Sequence, residues 1–352
     1  MKKSLIALAV LAASGAAMAQ SSVTLYGIAD AWVGSTETEV RGVGQRQTAV
    51  NTSGVNGSRW GLKGSEDLGG GMKAIFTLES GFSLDTGASA QNGTLFSRQA
   101  FVGLQSGFGT VSLGRQYSAY DNLQGATNHN YDAFTFSARG PVSANGVKDY
   151  TNRIDNSIAY ASPSFGGFSG AVVYGFGENK NTGVAATPTT PATGNFGDAR
   201  DSASVHIKYA NGPILVGYAY QQDELNVATL GGAENKNKYN LLGGSYDFGV
   251  AKLTGSYNTA KNNTYSDKEG QIGVSVPFGA AAISAGYARS KSETAGIERT
   301  GKGYSILGTY ALSKRTGLYA GAQNTKSYGP AFTAATGETE ITTYGLGVRH
   351  SF

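Results

Sequence analysis

The stretch NGSRWGLKGSEDLGGGMKAIFTLE, residues 56–79, decides the fold. Before its turn, Trp60 and Leu62 point one way while Arg59 and Lys63 point the other. After it, Met72, Ala74, Phe76 and Leu78 share one face, and Lys73, Thr77 and Glu79 share the opposite one. Side chains alternate along a strand, so this is a hairpin with one apolar and one charged face. The glycine-rich run from Glu66 to Gly71 supplies its turn. A soluble sheet would need a second layer over the apolar face. The reading taken here is that lipid covers that face and that the charged face meets water.

Upstream, Lys2 and Lys3 precede a short apolar run, Leu5 to Leu11, and Ala17-Met18-Ala19 fits a small-x-small cleavage site. This reads as an export signal, 1–19, cut before Gln20. Removing Lys2 and Lys3 takes the formal net charge of +4 to about +2. That balance argues against a nucleic-acid binder, which would carry a basic stripe. The absence of cysteine excludes disulfides, thiolate metal sites and a thiol nucleophile. With 52 Gly and 20 Tyr against 7 Pro, and with few helix signals, the remaining chain (20–352) reads as one long all-β unit. After Gln20 no apolar run is long enough for a transmembrane helix.

In chain order, a first strand covers about 23–34, followed by a polar loop to about 57 and then the hairpin above. The strand from 95 to 105 turns through Ser106-Gly107-Phe108-Gly109 into 110–116. A long insert, 117–150, carries Tyr117, Tyr120, Asp121, His129, Asp132, Phe134 and Phe136. Connections of this length are usually functional or disordered, and its aromatics argue for order. It is expected to fold into the interior of a barrel, with Tyr117, Tyr120 and Phe134 as anchors. Downstream, hairpins turn near Pro163, Gly212, Phe248, Phe278 and Lys314, separated by longer polar loops.

Short turns and long loops therefore alternate through about sixteen strands, the asymmetry of an outer-membrane antiparallel barrel. Both termini fall at the short-turn end, so the last strand can pair with the first. Closure is required because an unpaired backbone group in hydrocarbon costs several kcal/mol. Tyr26, Tyr160, Tyr174, Tyr209, Tyr246, Tyr304, Tyr310, Tyr344 and Phe352, near strand ends, are the candidates for interfacial girdles.

The chain resembles the general diffusion porins of Gram-negative outer membranes, of the neisserial and beta-proteobacterial type. The residues that carry the likeness are Leu25-Tyr26-Gly27, the run SRWGLKG at 58–64 continuing to Glu79, RQAFVGLQSGFGTVSLGR at 98–115, Asn156-Ser157-Ile158-Ala159-Tyr160, and 345–352. The resemblance implies a sixteen-stranded transmembrane barrel, usually a homotrimer, in outer-membrane lipid and lipopolysaccharide. It implies passive diffusion of small ions and hydrophilic solutes through a constriction made by the third external loop, here 117–150. It implies that Phe352 is the terminal aromatic read by the barrel-assembly machinery. No cofactor is expected.

Family members carry arginines on the wall facing that loop, and the matching positions are Arg59, Arg98 and Arg153. Lys63 shares Arg59's face, and Lys73 lies on the charged face of the return strand. Arg98 has ambiguous parity, because Ala100, Val102 and Leu104 alternate with it. Glu79 and Asp155 are the inward acids that could pair with the arginines. Asp121 and Asp132 are the loop acids expected opposite them. The loop lacks the Pro-Glu-Phe-Gly segment of enterobacterial relatives, so its acid count is open. A mild anion preference follows from the basic wall.

Three other classes of protein make distinct demands on the residues. A barrel hydrolase needs a Ser/His or Asp/His constellation, and His129, His206 and His350 stand far apart without ligand spacing. A substrate-specific channel needs a saturable site. A purely structural barrel conducts nothing.

Overall fold

The computed structural model describes residues 22–40, 42–91, 93–130, 133, 135–138, 150–177, 201–225, 235–294, 297–327 and 338–352. The segment 1–19, Asp132 and Phe134 lie outside the described residues.

Alternating sequence becomes an alternating wall. The strands are β1 (Ser22–Val40), β2 (Val43–Thr52), β3 (Arg59–Gly69), β4 (Met72–Gly81), β5 (Gln99–Ser106), β6 (Gly109–Tyr117), β7 (Arg153–Ala161), β8 (Phe168–Gly175) and β9 (Ser202–Asn211). They continue as β10 (Ile214–Leu225), β11 (Asn235–Asp247), β12 (Lys252–Lys261), β13 (Tyr265–Phe278), β14 (Ala281–Thr294), β15 (Ile297–Ala311), β16 (Thr316–Ser327) and β17 (Thr339–Ser351). Each pairs antiparallel with its neighbours, and β1 pairs with β17 from Ile28↔Ser351 to Val40↔Thr339. β2 and β3 pair with successive halves of the same edge of β1, so seventeen elements fill sixteen barrel positions. Beyond β17, Gly27 N–H donates to Phe352 O and Phe352 N–H donates to Gly27 O, which seals the turn-side seam.

The opening hairpin keeps its expected register. Leu25, Leu62, Leu78 and Ala100 form one row across β1, β3, β4 and β5, and Tyr26, Gly61, Glu79 and Gln99 form the adjacent row on the other face. Its turn is tighter than 66–71: β3 runs to Gly69, and Gly69, Gly70 and Gly71 all have positive φ, a conformation costly for side chains with a Cβ. The apolar row faces outward, with Leu25, Val102 and Leu113 more than half exposed. No helix among the described residues is long and apolar enough to cross a membrane.

Three features depart from the sequence reading. The polar segment after residue 34 is strand, because β1 runs to Val40 and returns as β2 through Gly42. Thr, Glu, Gln and Arg alternate there above the apolar band, so the backbone ladder forms without an apolar signal. Tyr26 is an inward residue, its hydroxyl donating to Glu79 Oε2 at 3.0 Å, not a girdle residue. The insert opens with a helix, α1 (Ala119–Thr127), whose N-cap Ser118 accepts from Asp121 N–H at 3.0 Å.

The buried side chains lie inside the barrel, where α1 and the segment after it lean on the wall from β8 to β16. Tyr120, Leu123, Tyr150, Tyr239 and Leu241 form one cluster, and Trp32, Phe136, Leu307 and Tyr319 form another. Glycines in the wall make room for this loop. A Cβ added at Gly217 would stand 2.6 Å from Leu123 Cδ1, and one at Gly243 would stand 2.5 Å from Thr127 Oγ1. Gly273 and Gly321 give the same clearance to His129 and Phe136.

Candidate functional site: a basic wall facing the inward loop

The wall is built at the loop-side ends of β3, β4, β5 and β7. Arg59 opens β3 in the register row of Ile28 and Gly81, on the face shared by Tyr26 and Glu79. Its Nε donates to Gly57 O at 2.8 Å, which fixes the guanidinium direction. Arg98 precedes β5 by one residue, where strict alternation has ended. Its Nε donates to Glu79 Oε1 at 2.7 Å and its Nη2 donates to Tyr117 Oη at 2.6 Å. That resolves its ambiguous parity: the side chain sits with the inward acid, not with Ala100. Arg153 opens β7, donates to the same Tyr117 oxygen at 3.0 Å, and stacks its guanidinium 4.7 Å from the ring centre. A point one bond from Gly57 Cα lies 3.2 Å from Arg98 Nη1 and 3.7 Å from Arg59 Nη2. Three guanidiniums thus converge on one patch, and Glu79 is ion-paired with Arg98 within it.

Tyr117, a loop anchor in the sequence reading, bridges two arginines. The anchors are Tyr120, whose hydroxyl donates to Asn258 Oδ1 at 2.8 Å, and Phe136, packed edge-on against Trp32 and Tyr319. Both are 2% exposed.

The remaining expected residues divide. Lys63 lies four residues further along Arg59's face, with its Nζ 5.1 Å from the Tyr26 ring centre. Lys73 does not join the patch. It sits beside the turn, paired with Asp67 and Gln105, six residues below Glu79 on β4. At the rise of a strand that is about 20 Å. Asp121 is 4% exposed and accepts from Tyr150 Oη at 2.8 Å, so its carboxylate is used to hold the loop closed on itself. Asp132 lies outside the described residues. Asp155 pairs with Arg115 instead of an inward arginine. Arg115 is in register with Ala100 on the outward row, and a bulge between Gly114 and Gln116 turns that stretch away from the lumen.

What the described part of the loop exposes is neutral. Along α1 the exposed residues are Asn122 and Gly125, with Ala126 half-buried. Asp30, another inward acid, is fully buried and accepts from the backbone N–H groups of Gly54, Val55 and Asn56 and from the Tyr319 hydroxyl. Among the described residues no group of His, Asp or Glu is arranged to hold a metal ion. His206 Nδ1 contacts Ala119 O at 2.8 Å, and His350 lies beside Thr316.

A closed barrel, apolar outside, polar inside and narrowed by an inward loop against a basic wall, is a water-filled transmembrane pore. Comparison with known proteins gives the family. Residues 5–330 match the Gram-negative porin family. An outer membrane porin protein of Bordetella pertussis is 33% identical over an alignment covering all of both chains. Outer membrane porin protein 32 of Delftia acidovorans is 40% identical over 72% of this chain and 68% of its own. An anion-selective porin from Comamonas acidovorans superposes with a TM-score of 0.77 at 29% identity, over 94% of this chain and all of that one. The chain belongs to the Gram-negative porin family. It is an outer-membrane channel for passive diffusion of small hydrophilic solutes and ions, and not an enzyme.

Proposed function

We propose that this pore favours anions, and that Arg59, Arg98 and Arg153, with Lys63 below them, form the selecting wall of its constriction. The carrying observation is the imbalance across the lumen: three guanidiniums and one paired carboxylate on the wall, against Asn122, Gly125 and Ala126 on the described part of the loop. Asp121, a candidate for the opposing acid, is turned inward onto Tyr150. Two unit charges about 8 Å apart interact by roughly 2 kcal/mol at an effective dielectric of 20. That is several times thermal energy, enough to bias passage by sign and too little to trap an ion. The anion-selective character of the Comamonas acidovorans protein supports this reading.

The same reading includes export on a signal at 1–19, assembly through Phe352 by the barrel-assembly machinery, and a homotrimer embedded in outer-membrane lipid and lipopolysaccharide. A Vibrio cholerae barrel of the same fold is described in a trimer form.

Zero-current potentials in a KCl gradient test the selectivity. The native channel should show the sign of chloride preference, and Arg59→Ser with Arg153→Ser should move the potential toward zero or past it. A cation-selective native channel, or a double variant with unchanged potential, contradicts the assignment.

A further inference from the structure

Between β2 and β3 the wall holds more chain than the ladder uses. Ala31 of β1 is in register with Thr52, and Ile28 is in register with Arg59. Ala29 and Asp30 of β1 therefore stand opposite the whole span 53–58, which lies outside the ladder. The span leaves the wall at Ser53, whose N–H donates to Asp30 O at 2.8 Å and whose φ of 61° lies in the left-handed region. It turns into the lumen, where Val55 packs against the interior cluster of Trp32, Phe136, Leu307 and Tyr319. It returns at Ser58, whose hydroxyl donates to Asp30 O and accepts from Asp30 N–H, both at 3.1 Å.

One side chain holds this span. Asp30 is fully buried, and its carboxylate accepts from Gly54 N–H at 2.8 Å, Val55 N–H at 3.0 Å and Asn56 N–H at 2.7 Å. The Tyr319 hydroxyl is a further donor to it. Successive N–H groups turned toward one point form a cradle for an anion. The carboxylate thus does for 54–56 what a neighbouring strand does for the rest of the wall, and without it these donors lose their acceptor.

The span in turn seats cations from both flanks of β1. Gly57 O accepts from Arg59 Nε at 2.8 Å, on the β3 side. Asn56 Oδ1 accepts from Arg349 Nη1 at 2.8 Å, on the β17 side, where Arg349 is in register with Asp30 and so faces inward with it. Ser53 O accepts from the Thr135 hydroxyl at 2.8 Å, which ties the span to the inward loop.

We propose that 53–58 is a second inward lip of the constriction and that Asp30 is its positioning residue. By cradling 54–56, the buried carboxylate aims Arg59 and Arg349 and gives the inward loop a footing on the wall. The effect on ion preference rests on the selecting wall proposed above; the place of the lip in the lumen stands without it.

Charge and position make opposite demands on Asp30. Acting through its charge alone, its neutralisation would leave the lumen more positive and strengthen chloride preference. Acting by holding the span, its neutralisation frees Arg59 and moves the potential as loss of Arg59 does.

Zero-current potentials of the full-length folded channel in a KCl gradient separate the two. Asp30→Asn keeps the side-chain shape, but its amide nitrogen cannot accept a hydrogen bond. Its potential should shift in the same direction as that of Arg59→Ser. Tyr319→Phe changes no charge, removes one donor to Asp30, and should shift the potential the same way by a smaller amount. The chain has no cysteine, so Gly57→Cys supplies a single thiol. Reaction of that thiol with a bulky charged thiosulfonate should lower the single-channel current, and it should be faster when Asp30→Asn is also present. Heat-modifiable migration on gels establishes that each variant is folded. Should Asp30→Asn not fold, Tyr319→Phe carries both the potential and the reaction-rate comparison. A shift opposite to that of Arg59→Ser, or a native potential in Tyr319→Phe, overturns the positioning role. A thiol at position 57 that does not react, or reacts without loss of current, overturns the second lip. If Arg59→Ser itself keeps the native potential, the selecting wall is what fails; equal reaction rates with and without Asp30→Asn would then overturn the role of Asp30.

Discussion

Arg98 shows what strand periodicity reads and where it stops. Counting in twos along β5 groups it with outward Ala100, yet the residue lies before the first ladder pair, Gln99↔Glu79, and its side chain follows Glu79 inward. Arg59 and Lys63 stayed within the ladder, and their face was legible from Trp60 and Leu62 alone. Asp155 departs from the reading for a different reason: its partner Arg115 lies at a bulge between Gly114 and Gln116 that resets parity, and nothing in the local sequence announces it. Two predictions belong to single residues. Glu79→Gln removes an ion-paired carboxylate of the patch, so the zero-current potential should move further toward chloride. Because the Arg98 and Glu79 side chains are 12% and 5% exposed, the folded state should also lose about 1–3 kcal/mol, read by urea titration in vesicles. His129 gives a pH dependence. Burial pulls its pKa down to about 4, and its Nε2 has no hydrogen-bond partner among the described residues. The folded state therefore holds it neutral. The stability it lends is complete above its unfolded value near 6.5 and is lost as pH falls through about 4. Protease sensitivity of the loop should rise over that interval, and His129→Phe should flatten the response; an unchanged acid response in that variant would assign it elsewhere.

At the scale of elements, the barrel strands below the interface were legible and the inward loop was legible only as an insert. Apolar alternation marks a strand only where lipid demands it. Above that band, β2 and the end of β1 are held by their ladder and by polar pairs such as Arg46–Glu37, with no apolar alternation, which is why 35–57 reads as a loop. The helix α1 carried one readable sign, Ser118-Ala119-Tyr120-Asp121, a serine followed three residues later by an acid, which is a helix-start pattern. Where the loop lies is decided by the opposite wall, through residues 90 or more positions away, such as Gly217 under Leu123 and Gly243 under Thr127. Such pairings have no local sequence signal. Gly243→Val should push α1 off the wall while leaving the ladder of β10, β11 and β12 intact. The expected reading is a folded barrel by gel migration with lower and noisier single-channel current; a quiet channel of native size would mean the loop does not depend on that clearance.

For the whole molecule, closure is the claim from which the others descend. Sixteen positions close through the β1–β17 ladder and the Gly27–Phe352 bonds. The strand count and the meeting of the termini were readable from the alternation of short turns and long loops, since a sheet in hydrocarbon has no other way to satisfy its edges. Truncating Phe352→Ala removes the ring packed over Gly27 and should lower the folded fraction recovered in vesicles. A folded yield equal to native would confine the role of the terminal aromatic to the backbone.

The proposed pore is continuous water lined by a net-positive constriction. Single-channel recording of the native protein across a KCl gradient tests this most directly. The account predicts steady open current that grows in proportion to salt concentration, with a zero-current potential of the chloride-selective sign. A folded barrel that carries no current, or one whose potential has the potassium-selective sign, would contradict it.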